Sequence, residues 1–505
     1  MIGRLFTLRN IRRIYAVFFI LLFVLLLWLT GFRRMKGYET PLFLELDPLV
    51  AIGSFLTSWT IYKGLALSLI IIIGTLLLGR FFCSWVCPMG IINQVAGNIF
   101  NKLRAADTVA LNSYRTLYRL KYYILVLLLG LAAFGPLQVG LLDPIPLVTR
   151  SFAISVFPGL NYSSGWLYLK QPLYNGGTFL GAIFLLVLFA NRFLPRFWCR
   201  AVCPLGALLG LLSFSPLLRI WRDVDRCTDC KKCLGHCHGG CDPHAELRIG
   251  ECHLCMNCIE DCPEDAIHYG LSRPASSIHL PVDASRRRLI ESAFAGAILF
   301  PVLRSTITSK TSPRYRVIRP PGSIAEGDFL RRCIKCGECM KVCPTNAIQP
   351  ALLEAGFEGL WTPVLINSIG YCEYNCVLCS HVCPTGAISP LTVEKKLGKG
   401  AGQKPVKIGT AFYDRGRCLP WAMNIDCIVC EEVCPTSPKA IWFETVEVRL
   451  RDGASKKLKR PYIDPNICIG CGICETKCPI HDRAAVRITS IGETRSLTNQ
   501  MILKS

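Results

Sequence analysis

The sequence predicts an α-helical membrane bundle of four transmembrane helices, with a candidate fifth, followed by small α+β domains organised by cysteine-bound cofactors. Three features predict this class. Apolar segments are concentrated in the N-terminal part, 24 of the 29 cysteines fall into six groups of four, and an arginine-led apolar run separates two cysteine-rich regions. The 505 residues suffice for several domains. With 57 Lys and Arg against 35 Asp and Glu, the net charge is +22, which points to a membrane surface or nucleic acid. The 51% hydrophobic content, gathered near the N-terminus, selects the membrane. No aromatic-plus-basic nucleic-acid module is visible, so nucleic acid is not an expected partner.

Four apolar segments, near Ile14–Thr30, Ser58–Gly79, Tyr122–Leu142 and Thr178–Leu194, each approach the ~20 residues of a membrane-crossing helix. Loop charges orient them. Arg4, Arg9, Arg12 and Arg13 precede the first segment; Lys102, Arg104, Arg115, Arg119 and Lys121 separate the second and third; Arg192, Arg196, Arg200, Arg219 and Arg222 follow or close the fourth. The loop between the third and fourth carries only Arg150 and Lys170, so both ends of the bundle are expected to face the cytoplasm, against the minority vote of Arg33, Arg34 and Lys36. The bundle repeats itself. "LDPLVAIGSFL" and "FFCSWVCPMG" flank the second segment as "LDPIPLVTRSF" and "FWCRAVCPLG" flank the fourth, which implies a pseudo-symmetric pair of helix pairs. The expected domains are 1–222 (membrane), 223–275 (two-cluster), 276–325 (arginine-led segment and linker) and 326–505 (four-cluster).

"CIKCGECMKVCP" reads C-x-x-C-x-x-C-x-x-x-C-P, the spacing in which three thiolates wrap one 4Fe–4S cluster and the fourth reaches the neighbouring one. The expected domains are therefore ferredoxin-like, α+β and 4Fe–4S-binding. Zinc also takes four thiolates, but the dense triplet before Cys-Pro argues against it, as ligand spacing argues against disulfides. Crossed ligation in the first region gives one cluster from Cys227, Cys230, Cys233 and Cys262, and another from Cys252, Cys255, Cys258 and Cys237. Cys241 is spare, and His236, His238, His244 and His253 read as surface histidines near a cluster. The second region holds Cys333, Cys336, Cys339 and Cys343; Cys372, Cys376, Cys379 and Cys383; Cys418, Cys427, Cys430 and Cys434; and Cys468, Cys471, Cys474 and Cys478. Six clusters are expected in all. In the second region either adjacent groups pair, or the first pairs with the last around a central pair.

Cys83 and Cys87 are four apart, as are Cys199 and Cys203, which on a helix sets each pair on one face. The repeat can bring the four thiols together as an additional redox or metal site, with inert packing as the plain alternative. Asp47 and Asp143, in equivalent "LDP" positions, are candidate proton acceptors for a quinol. Each also reads as a helix N-cap before Pro.

These motifs resemble the quinol-dehydrogenase module of periplasmic nitrate reduction. "FFCSWVCPMG", "FWCRAVCPLG" and the first cysteine pair resemble its membrane NapH subunit. "RRRLI" with its apolar run, "RPPGSIAEGDFLRRCIKCGECMKVCP", the Cys418–Cys434 group and "CIGCGICETKCP" resemble its exported NapG subunit, as if the two were fused. The Cys372–Cys383 group departs from the family spacing. The resemblance implies nested pairing: Cys333, Cys336 and Cys339 with Cys478, the last group's first three with Cys343, and the central groups exchanging Cys383 and Cys434. It also explains the arginine run: "SRRRLIESAFAGAILFPVLR" (Ser285–Arg304) begins like a twin-arginine export signal, now enclosed between joined halves. Leu289–Leu303 is shorter than a full span and contains Glu291, so a cytoplasmic helix is the competing expectation.

The expected function is a multi-pass protein of the bacterial inner membrane with a periplasmic four-cluster domain. It would pass electrons from menaquinol or ubiquinol through 4Fe–4S clusters to a periplasmic cytochrome or terminal reductase, within a larger redox complex. Two rivals are a metal-reducing assembly factor for an oxidase, and a ferredoxin-type protein feeding electrons from a cytoplasmic donor to quinone.

Overall fold

The computed structural model describes residues 7–31, 34–35, 40–60, 62–102, 108–164, 173–245, 247–271, 285–305, 317–400, 402–450, 453–480 and 482–501. Arg4, Arg33, Lys36, Arg104 and Lys170 of the charge assignment, and residues 272–284 and 306–316 of the expected linker, lie outside the described residues. The chain forms two compact units. One comprises Met1–Leu29, Tyr38–Val156 and Gly177–Val302, the other Thr30–Gly37, Phe157–Gly176 and Leu303–Ser505.

In the first unit, α1 (Leu8–Leu29) is a continuous run rich in Leu and Phe. α2 (Pro48–Ser58) starts where Asp47 accepts hydrogen bonds from the amides of Leu49 and Val50, and stops where Trp59 turns left-handed at φ 52°. α3 (Ser68–Leu78) continues a 3-10 turn over Lys63–Leu67 and ends at Gly79, φ 91°. α4 (Pro88–Lys102) follows. α5 (Leu120–Phe134) ends at Gly135, φ 129°. α6 (Pro144–Ser151) runs into a wider π turn over Phe152–Val156. α7 (Gly177–Phe189) and α8 (Pro204–Leu212) complete the repeat. Phe23 packs edge-on against Phe43 (5.3 Å) and Phe152 (6.0 Å), and Phe152 against Phe184 (6.0 Å), which ties α1, α6 and α7 into one core.

Among the described residues two helices, Leu8–Leu29 and Thr108–Phe134, are long and apolar enough to cross a membrane; Lys63–Leu78 and Gly177–Arg192 are shorter than the expected second and fourth spans. The reason is local. A left-handed Trp59 and a positive-φ Gly79 bracket the second segment, and Gly135 ends the third before Leu142. The outer faces of α1, α3 and α7 nevertheless carry exposed large apolar side chains, among them Ile14, Leu21, Ile70, Ile73, Leu185 and Leu186.

β1 (Leu218–Arg222) pairs antiparallel with β2 (Ile267–Leu271), Leu218 opposite Leu271, and closes a loop that contains all the cysteines from Cys227 to Cys262. α9 (Arg286–Ser305) is the arginine-led segment. It runs parallel to α5: the Ser285 amide donates to Tyr123 Oη (3.3 Å), and Phe300 stacks on Phe134 (6.2 Å). The contact depends on two glycines. A Cβ on Gly296 would lie 2.9 Å from the Leu127 carbonyl, and one on Gly130 3.4 Å from that of Ala293, so small residues let the backbones approach.

The second unit opens with α10 (Glu326–Arg332). β3 (Ile348–Pro350) pairs with β4 (Pro363–Leu365), β5 (Thr410–Tyr413) with β8 (Val486–Thr489), and the long hairpin β6 (Ile441–Arg449) with β7 (Ser455–Ile463). The loop after the third apolar segment folds into this unit. Tyr174 Oη donates to the Met340 carbonyl (3.0 Å), the Asn175 amide donates to Gln349 Oε1 (2.9 Å), and Lys341 Nζ lies 4.4 Å from the Phe157 ring centre.

Candidate electron-transfer sites

Each regular cysteine triplet is wrapped by the same backbone device. The residue before the second cysteine and the residue after it are both left-handed: Asp229 and Lys231, Leu254 and Met256, Lys335 and Gly337, Gly470 and Gly472. Two successive reversals curl the chain so that its amides face the enclosed space. The stretched groups lack this pair of reversals; in the Cys418–Cys427 interval a π turn over Leu419–Met423 takes up the extra length, with Trp421 held against Arg415 and Arg460.

In the first unit, Cys227, Cys230, Cys233 and Cys262 line one cavity, the crossed set expected from spacing. Cys237 faces Cys255 and Cys258 together with Cys252. Cys241 stands behind Cys237, Sγ to Sγ 3.6 Å, and also reaches Cys252. The histidines are not all at the surface: His253 is buried and meets Arg196 Nη1 through Nδ1 (3.0 Å), and half-buried His238 meets Asn257 Nδ2 through Nε2 (3.1 Å). Only His236 is exposed among these three; it pairs with Asp261.

The second unit corrects the nested pairing. Cys383 acts on all of Cys333, Cys336 and Cys339, and Cys343 on all of Cys372, Cys376 and Cys379. Cys478 acts on Cys418, and Cys434 joins Cys468, Cys471 and Cys474 around one cavity. Adjacent groups therefore exchange their fourth cysteines. The physical reason is the pairing of β5 with β8, which brackets the last two groups and closes them on each other. Hydrogen bonds also tie the two halves together: the Cys372 amide donates to the Cys471 carbonyl (2.8 Å), and Thr476 Oγ1 to the Asn367 carbonyl (2.7 Å).

All 29 cysteines are free of disulfides. Burial and neighbouring thiols push Cys233 and Cys471 up to about 12, and Cys255 and Cys333 up to about 11. Such quartets become thiolates when a cation compensates them. Among the described residues, no three His, Cys, Asp or Glu side chains converge on a single-ion site. The wider quartets suit iron–sulfur clusters, each ligated by four thiolates.

Cys83, Cys87, Cys199 and Cys203 are all at most 6% exposed and act on one another. They do converge, but not as pairs on one continuous helix. Cys83 lies in a single helical turn (Phe82–Trp85) and Cys199 in a π turn (Trp198–Val202). Pro88 and Pro204 do not end these helices; they begin α4 and α8 at the first helical position. Cys203 caps α8, its Sγ accepting the Gly206 amide (3.2 Å), while Arg80 Nε donates to Cys83 Sγ (3.2 Å).

Sequence reasoning missed the buried cations around these thiols. Arg80, Lys121, Arg196 and Arg200 are at most 2% exposed. They clamp the nine-cysteine segment between β1 and β2: Arg80 to the Gly250 carbonyl (3.1 Å), Lys121 to Glu251, and Arg200 to the Cys237 carbonyl (2.7 Å). Tyr122 Oη donates to the other Glu251 oxygen (2.9 Å). The adjacency of arginine to cysteine in "RFFC" and "FWCR" was the available signal. Asp47 and Asp143, both fully buried, face each other; among the described residues Asp143 has no other side-chain partner.

Two family profiles, both described as 4Fe-4S binding domains, match the chain. One covers 60–105, 175–222 and 377–399, including Cys83, Cys87, Cys199 and Cys203; the other covers 330–349 and 461–481. The chain is similar to the putative electron transport protein YccM of Escherichia coli, 30% identical over 41% of this chain and 55% of YccM. It is similar to the methylamine utilization ferredoxin-type protein MauM of Methylorubrum extorquens, 31% identical over 41% of this chain and 90% of MauM. It is also similar to the ferredoxin-type protein NapH of Haemophilus influenzae, 27% identical over 40% of this chain and 66% of NapH. The chain thus spans about half the length of YccM. No solved structure matches. With its 4Fe–4S domains and cysteine quartets, the chain belongs to the NapH/NapG- and MauM-type family of ferredoxin-type electron-transfer proteins.

Proposed function

We propose that the protein is a membrane-bound quinol dehydrogenase that joins NapH-like and NapG-like parts in one chain and delivers electrons from menaquinol or ubiquinol to a periplasmic cytochrome or reductase. Six quartets would hold six 4Fe–4S clusters, which supply one-electron transfer when bound. The observation that carries this reading is continuity within the first unit. The four membrane thiols and the Cys237/Cys252/Cys255/Cys258 set share Arg196, which acts on both Cys199 and Cys255. A redox centre on the membrane thiols would shorten the gap between the lipid layer and the first ferredoxin domain.

The buried cations Arg80, Arg196 and Arg200 favour negative charge on both thiol sets. Asp47 and Asp143 are both fully buried and face each other, the arrangement in which two carboxyls can share a proton. That makes the pair the candidate acceptor for a quinol proton.

Two observations support a periplasmic four-cluster domain. The loops after the first and third apolar segments fold with that domain, and those loops face outward by the charge assignment. α9 runs parallel to α5 from Tyr123 to Phe134, which supports a fifth crossing that carries the chain outward after β2. The exposed apolar faces of α1, α3 and α7 support lipid contact.

The test is anaerobic reconstitution of the full chain into proteoliposomes, with menaquinol in the bilayer and cytochrome c as external acceptor. The expected result is quinol-dependent cytochrome reduction that Cys83→Ser and Cys199→Ser abolish while the ferredoxin cysteines keep their iron. Reduction unaffected by both substitutions would contradict a role for the membrane thiols. No quinol-dependent reduction in a fully loaded protein would overturn the function. Protease added to intact spheroplasts should cleave the four-cluster domain.

A further inference from the structure

The first unit contains a polar cavity of about 200 Å³ beside Cys237. It shares Cys237 with the adjacent cysteine quartet, whose other members, Cys252, Cys255 and Cys258, do not line it. Arg9, Arg13, Arg196 and Arg200 line it, and no carboxylate does. Arg13 and Asn98 are exposed, while Arg196 and Arg200 are 2% and 1% exposed.

The two buried guanidinium groups are held by neutral acceptors. Arg196 donates to the Gly90 carbonyl (2.9 Å) and Gln94 Oε1 (3.3 Å), and meets His253 Nδ1 (3.0 Å). Arg200 donates to Asn112 Oδ1 (2.8 Å), to Tyr118 Oη (3.3 Å) and to the carbonyls of Leu111 (3.3 Å), His238 (2.9 Å) and Cys237 (2.7 Å). These bonds fix the planar forks but cancel no charge. Among the described residues neither has a carboxylate partner. Arg9 is, among the described residues, the one lining arginine with carboxylate partners, Asp261 (2.9 Å) and Glu260 (3.8 Å).

We propose that this cavity binds a phosphate group, carried by an anionic lipid headgroup or by a soluble phosphate compound. The buried guanidinium donors left open there, among the described residues, are Arg9 Nε and Arg196 Nε; with exposed Arg13 and the fixed positive charge of Arg200 beside them, they suit a tetrahedral anion. The level along α1 favours the lipid source. Arg9 and Arg13 sit in its first turns, and exposed apolar side chains begin at Ile14 and continue through Val17, Phe18 and Leu21. A basic pocket at the cytoplasmic ends of membrane helices is where anionic headgroups bind. The competing account is that the arginines only balance thiolate charge, since Cys199 and Cys255 act on Arg196.

Gly97 separates the two accounts. It lines the cavity, and a Cβ there would have its nearest neighbours at 3.9 Å (Arg196 N) and 4.0 Å (Asn191 Oδ1). Gly97→Leu therefore fills the cavity while leaving every charge in place. The experiment takes the full, cluster-loaded chain, strips bound lipid with detergent, and titrates it with cardiolipin in mixed micelles or with inorganic phosphate. Phosphatidylcholine micelles are the neutral control. The expected result is saturable binding of about one phosphate-bearing molecule, weakened about tenfold or more by both Gly97→Leu and Arg13→Gln. Saturation in the cardiolipin arm identifies a lipid ligand; saturation with phosphate alone identifies a soluble one. No saturable binding in either arm, or Gly97→Leu binding like wild type, overturns the proposal. If Gly97→Leu loses iron, Arg13→Gln, at an exposed side chain, decides by the same criterion.

Discussion

Replacing Glu326 by Gln should loosen the four-cluster unit by about 3 kcal/mol. Glu326 opens α10 and is clamped by two arginines far apart in sequence: Arg319 Nη2 to Oε1 (2.6 Å), Arg319 Nε to Oε2 (3.2 Å), and Arg495 Nη1 to Oε2. The Arg319 side chain is fully buried, and that of Glu326 only 19% exposed. Arg319 first, then Arg495, hold the carboxyl at about 2 against the opposing effect of burial, from an ordinary value of 4.5. At 1.36 kcal/mol per pH unit this is worth about 3 kcal/mol, which agrees with the ~3–5 kcal/mol typical for breaking a buried pair. The folded-to-unfolded ratio should then fall roughly two orders of magnitude. Because the folded-state value is depressed, this stability is present above pH 4.5 and disappears as pH falls towards 2. The assay is denaturant-induced loss of visible cluster absorbance and tryptophan fluorescence, wild type against Glu326→Gln, on anaerobic full-length protein. A variant equal to wild type at neutral pH, or a gap that widens below pH 4.5, would refute the reasoning.

The remaining predictions use the same protein. Glu251→Gln leaves Lys121 buried without its counter-charge and should cost about 3–5 kcal/mol; Lys121→Met with Glu251→Leu should recover most of that, read as the midpoint of thermal bleaching. Cys262→Ser should remove the cluster of Cys227, Cys230 and Cys233 and about four iron atoms, with its own triplet partners keeping theirs by Mössbauer count. Cys478→Ser should disturb the set that contains Cys418, whereas nested pairing would have it disturb the Cys333 set. Gly472→Ala puts a Cβ 2.4 Å from Asn367 Oδ1 at φ 83° and should cost about 1–3 kcal/mol, seen as lower iron content.

The ligand triplets were legible because they are local: two spacer residues between cysteines dictate the curl whatever surrounds it. The crossing of Cys262 onto the first triplet was legible for the same reason, since one short strand pair encloses both motifs. Pairing in the second region was not. It depends on β5 meeting β8, two four-residue strands on either side of the last two groups, too short for a periodic signal. The four apolar segments were visible as composition, but their breaks at Trp59, Gly79 and Gly135 depend on backbone conformation. The spacing of Cys83 and Cys87 suggested one helix face, yet proline at 88 starts a helix and so divides the pair. Asp47 is the N-cap its Asp-Pro pattern suggests; that it faces Asp143 follows only from the packed repeat. Buried arginines looked like loop charge, because a sequence counts cations without showing what encloses them.

The central claim is that the cysteine quartets bind 4Fe–4S clusters that make the chain an electron conductor. Iron and acid-labile sulfide measured on anaerobically purified full-length protein, with electron paramagnetic resonance on reduction, test it most directly. Six clusters predict about 24 iron atoms per chain, with up to about four more at Cys83, Cys87, Cys199 and Cys203, and signals of interacting reduced clusters. Stoichiometric zinc with no paramagnetic signal on reduction would contradict it.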